Sequence, residues 1–106
     1  MTEFAFKTDD DTHRLFDVVK WCLKQYFGHT DDSAVGAIND FYQRPSPWYD
    51  DDFYHHEGPY WVAARIHHVI DLGGQPHAFH TWRMEAGYKQ TPREALAYFR
   101  EHYFTR

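Results

Sequence analysis

The chain has 106 residues, enough for one domain with a single modest core. It carries 16 acidic side chains against 11 Lys and Arg, a formal net charge of -5, which speaks against nucleic acid as the main partner because phosphate binding needs a basic surface. Aromatic rings make up 20% of the residues, too many for so small a core to hide, so an exposed aromatic surface suited to protein contact is expected.

The single cysteine, Cys22, excludes an internal disulfide. It falls in an apolar helical pattern and reads as a small core residue in a reducing compartment. Residues 1–11 lack the basic-then-apolar pattern of a secretory leader. No stretch is long and apolar enough to span a bilayer, so no membrane association and a cytoplasmic location are expected.

Residues 1–8 read as an extended or disordered arm, with Phe4 and Phe6 alternating with small or polar neighbours. The first helix is predicted to start between Thr8 and Thr12 and to end at Phe27, with Gly28 just beyond it. Leu15, Val19, Cys22, Leu23 and Tyr26 share one face of it, Lys20 and Lys24 the other. A second helix is predicted from Thr30, where a capping hydroxyl precedes the first-turn acids Asp31 and Asp32. Val35, Ile38, Phe41 and Tyr42 form its apolar side, and it stops before Pro45. Residues 44–57 fit either a short helix opened by Ser46-Pro47 or an ordered loop. At least two of the rings Trp48, Tyr49, Phe53 and Tyr54 are expected to turn inward.

The chain is organised around residues 55–74, HHEGPYWVAARIHHVIDLGG. Gly58-Pro59 is a helix start, Glu57 complements the positive end of the dipole, and Gly73-Gly74 is a stop. Val62, Ile66, Val69 and Gly73 line one stripe, Ala63 and Ile70 widen it, and Trp61 and Leu72 lie on a flanking face. So wide an apolar surface predicts cover on more than one side. Residues 76–86 follow as a helix presenting Phe79, Trp82 and Ala86, although 77–84 also fit an extended segment. The last helix opens with the capping box Thr91-Pro92-Arg93-Glu94, proline at its first position, and buries Leu96, Phe99 and Tyr103. The fold class is therefore all-α: one domain over 1–106, a bundle of four to five helices around a central helix near 59–72.

His55, His56, His67, His68, His77 and His80 crowd the middle of the chain. With Glu57 and the three aspartates Asp50, Asp51 and Asp52 they are ligand types for zinc or iron, yet no HExxH and no paired CxxC is present. No metal or other cofactor is assigned; the residues nearest to a ligand set are His55, His56, Glu57, His67 and His68. His67 and Asp71 lie one helical turn apart and can face each other. The first reading is a partly buried imidazole satisfied by a carboxylate, the second an oriented acid–base or metal-binding pair. There is no GxSxG, phosphate-binding loop or dinucleotide fingerprint, and Cys22 lacks the setting of a nucleophile. No catalytic residue is assigned, and the chain leans away from an enzyme.

Three acidic runs remain: Asp9, Asp10 and Asp11; Asp31 and Asp32; Asp50, Asp51 and Asp52. Helix caps and dipole pairing account for part of them. The surplus beside aromatic rings predicts a contact surface made of Trp48, Tyr49, Asp50, Asp51, Asp52, Phe53 and Tyr54. Its partner is expected to be a basic protein, steered by charge and anchored by the rings.

The segment DDFYHHEGPYWVAARIHHVIDLGG, with GPYWVAARIHHV its most distinctive part, resembles small acidic helical bacterial proteins of the toxin-immunity type. The resemblance implies a stoichiometric inhibitor of a basic partner such as a nuclease toxin, and it carries over no contact residue. Two other classes stay open: a His/carboxylate site for metal or acid–base chemistry, and a structural homo-oligomer.

Overall fold

Asp9 opens the first helix of the computed structural model, which describes Phe4, residues 9–43 and residues 51–103, with backbone alone at 51–53. Its carboxylate accepts the Thr12 amide at 2.7 Å, capping helix α1, Asp10–Tyr26. Leu15, Phe16, Val18, Val19, Cys22 and Leu23 face the core. Burial pushes the Cys22 thiol up, away from nucleophilic use. The helix closes as its glycine predicts: Gly28 has φ 75°, and the amides of Phe27 and His29 both reach the Leu23 carbonyl.

Helix α2, Asp31–Gln43, is capped reciprocally. The Ser33 amide donates to Thr30 Oγ1 at 3.2 Å, and the Thr30 amide donates to Ser33 Oγ at 2.9 Å. Ala34, Ala37, Ile38 and Phe41 are buried. Lys24 reaches back from α1 to Asp31 at 2.6 Å.

Helices α3, Asp51–Glu57, and α4, Pro59–Ile66, meet at Gly58, whose φ of 95° breaks the helical path. With α3 the α-helices among the described residues number six, one more than the four to five expected. Residues 44–50, with the predicted Ser46-Pro47 start, lie outside the described residues, as does most of the 1–8 arm. Phe4 is described and buried, its ring edge-on to Phe16 at 6.3 Å.

The expected helix over 59–72 is not uniform. After Ile66 the chain widens into a π turn, His67–Asp71, with the Leu72 amide reaching five residues back to the His67 carbonyl at 3.1 Å. Gly73, φ 68°, then ends it, and the Gly74 amide bonds the His68 carbonyl at 2.8 Å. Val62, Ala63 and Ile66 are fully buried. The rod packs mainly on α1, with α2 and α3 alongside.

A 3-10 turn, Pro76–Ala78, leads into α5, Phe79–Glu85, whose Phe79 is buried. Helix α6, Arg93–His102, lies against α1, where Trp21 and Tyr98 stack at 3.9 Å. Two expectations need correction here. The helix starts one residue late, with Pro92 as its cap and no side-chain cap bond, so the Thr91 capping box does not form. The buried stripe is Ala95 and Phe99, while Leu96 is 40% exposed and Tyr103 half-buried. The helix thus turns Ala95 and Phe99 to the core and Leu96 outward. Among the described residues there is no strand, and no helix is long and apolar enough to cross a membrane.

Candidate metal centre

His29 sits between the closing glycine of α1 and the capping threonine of α2. Its own amide donates to the Leu23 carbonyl and the Thr30 amide donates to Ser33 Oγ, so its backbone is tied to both helix ends before its side chain does anything. The side chain is only 8% exposed. Its Nδ1 lies 2.9 Å from Ser33 Oγ, and its Nε2 lies 2.6 Å from Asp71 Oδ2.

His67 and Asp71 come from the π turn. His67 Nδ1 lies 2.7 Å from the same Asp71 oxygen. The predicted pairing one turn apart is therefore present, and a second imidazole from a distant segment joins it. The three donor atoms lie within 4.8 Å of one another. An ion bound tetrahedrally at about 2.0–2.2 Å to each would need these contacts to open by about 0.7 Å.

Aromatic rings flank one side. The His67 ring stacks on Phe27 at 4.9 Å and meets Trp82 at 6.0 Å; Tyr88 closes against both, at 5.7 Å from Phe27 and 5.3 Å from Trp82. These rings pack the His67 imidazole and hold it in orientation.

The other predicted ligand residues do not join this cluster. His55 Nε2 meets Thr12 Oγ1 at 2.9 Å and its Nδ1 meets the Tyr103 hydroxyl, so both ring nitrogens are engaged by α1 and the end of α6. His56 is exposed. Glu57 accepts from Arg65 Nε, and the buried Arg65 guanidinium also lies 4.3 Å over the Phe79 ring. His68 is buried and stacked on Trp82 at 4.9 Å. Burial, then the charges of Arg65 and His67, pull its pKa below the ordinary value. Its Nε2 occupies the space over Gly74, where an added Cβ would lie 2.0 Å away. His77 and His80 are exposed.

Sequence reasoning thus missed His29 and Ser33. The only local signal was a histidine held in the Gly28-His29-Thr30 corner with a hydroxyl four positions on; its carboxylate partner is 42 positions away.

The predicted contact surface is described only in part. Trp48, Tyr49 and Asp50 lie outside the described residues, and Asp51, Asp52 and Phe53 are described by backbone alone. Tyr54 is one of the rings turned inward: it is 5% exposed and packs on Phe16 at 5.6 Å and Phe41 at 6.0 Å, which places it in the core and not on a contact surface. No protein-family model, curated protein or solved structure matches this chain.

Proposed function

We propose that this protein binds a first-row divalent transition metal ion, zinc being the reference, through His29 Nε2, His67 Nδ1 and the Asp71 carboxylate. One observation carries the reading: two imidazole nitrogens from separate segments converge on one carboxylate oxygen, at 2.6 and 2.7 Å. Two nitrogens and one oxygen suit zinc or iron better than magnesium or calcium, which prefer all-oxygen sites. Three protein donors leave a coordination position for an exchangeable ligand, such as water or a small anion. The competing explanation is a hydrogen-bonded staple between the α1–α2 corner and the π turn. Equilibrium dialysis of the untagged protein against zinc, followed by metal analysis, separates the two. The metal reading expects one tightly held equivalent in the wild type and none in His29→Ala. Equal zinc retention by both proteins, or none by either, overturns it.

A second reading follows from charge. The excess of acidic side chains favours a basic protein partner of the kind that immunity proteins meet, with residues 48–53 as the contact. Changing Asp50, Asp51 and Asp52 together to Asn is expected to weaken capture of that partner and flatten its salt dependence. An unchanged salt dependence would remove the acidic surface from recognition.

A further inference from the structure

Ser33 has a role that its capping position does not explain. We infer that its hydroxyl is the positioning partner that lets His29 exchange tautomers when an ion enters; this deepens the metal reading and rests on it. Ser33 Oγ has three neighbours: the Thr30 amide at 2.9 Å, the Thr30 carbonyl at 3.3 Å and His29 Nδ1 at 2.9 Å. A hydroxyl offers one proton and two lone pairs. In the ion-free state, His29 Nε2–H donates to Asp71. Ser33 then donates its proton to Nδ1 and accepts the Thr30 amide. An ion on Nε2 requires the lone pair there, so the ring proton must sit on Nδ1. Ser33 Oγ now accepts from Nδ1–H on its second lone pair, and its own proton turns to the Thr30 carbonyl. Every donor is matched in both states: the proton on Nε2 is lost to solvent as the ion enters, Nδ1 takes one up from solvent, and the Ser33 hydroxyl rotates to follow. A carboxylate at this position would only accept and an ammonium would only donate, so neither serves both states. Outer partners of this kind fix the tautomer of metal-binding histidines.

The test combines zinc affinity, by competition titration with a chromophoric chelator, and long-range proton–nitrogen NMR of the His29 ring. The wild type is expected to change from the Nε2–H to the Nδ1–H form on adding zinc. Ser33→Ala should weaken zinc binding about 10- to 100-fold. Ser33→Thr, which keeps the hydroxyl, should restore it. Thr30→Ala removes a partner from the same cap without touching Nδ1 and should leave affinity near that of the wild type. Zinc binding by Ser33→Ala as tight as wild type, or an equal loss in Thr30→Ala, overturns the role of Ser33 and leaves the metal reading standing. Absence of zinc binding by the wild type removes both. Should Ser33→Ala fail to fold, the wild-type spectra decide: a zinc-loaded His29 that keeps its proton on Nε2 refutes the exchange.

Discussion

Two histidine clusters join distant segments of this bundle, and they are built on opposite principles. At one end His55 is held between two hydroxyls, Thr12 on α1 and Tyr103 after α6. Each ring nitrogen has one neutral partner, and the ring has nothing left to offer. At the other end His29 and His67 share a single carboxylate oxygen on Asp71. There the negative charge is concentrated on one atom, and both rings aim at it. A saturated imidazole is scaffold, whereas two imidazoles sharing one acceptor form a site that a cation can enter. Histidine content does not separate the two cases; the identity of the partner atoms does.

The largest expected effect comes from the element that supports both clusters. Ile66 is fully buried and immediately precedes the π turn that carries His67. Ile66→Ala is expected to cost about 2–5 kcal/mol in a denaturant melt, from lost transfer energy plus a cavity. An unchanged melt would remove α4 from the centre of the fold. Next, Asp71→Asn should weaken zinc binding by about 100-fold or more, or about 2.7 kcal/mol by isothermal titration, while His55→Gln leaves it unchanged. Equal losses in both variants would erase the distinction between the clusters. Third, His55→Ala should cost about 1–3 kcal/mol of stability, because the fully buried Thr12 loses its hydroxyl partner. Thermal melts with and without zinc would show that loss to be independent of the ion.

The smallest effect concerns pH. The Thr12 amide holds the Asp9 carboxyl below its ordinary value of 3.8. A lowered native pKa means that the unfolded chain takes up the proton first. The capping contribution is therefore fully present above 3.8 and is lost as pH falls through the lower native value. Asp9→Asn keeps an acceptor without the charge, so the stability gap between variant and wild type should narrow in urea melts taken at falling acid pH. A constant gap would mean that the carboxylate charge contributes nothing.

Local chemistry made much of the helical order legible. Gly28, Gly58 and Gly73 mark helix ends because each takes a positive φ that a Cβ resists, and Thr30 with Ser33 caps α2 through bonds three residues apart. The His67–Asp71 pair was legible for the same reason, being one turn apart. What escaped was decided by packing. The π turn inserts a residue that no periodicity marks, and on α6 Ala95 takes the inward place expected of Leu96. His29 escaped most completely, since a corner residue has no periodicity and its partner depends on how α2 docks against the end of α4.

The central claim is that His29, His67 and Asp71 enclose one ion. An anomalous difference map, recorded at the zinc edge from crystals of the untagged protein grown with zinc, addresses it directly. The account predicts one strong peak about 2.0–2.2 Å from His29 Nε2, His67 Nδ1 and an Asp71 oxygen, with the direct imidazole–carboxylate contacts opened. A peak elsewhere, such as at the exposed His77 or His80, with Asp71 still bonded to both rings, would contradict it.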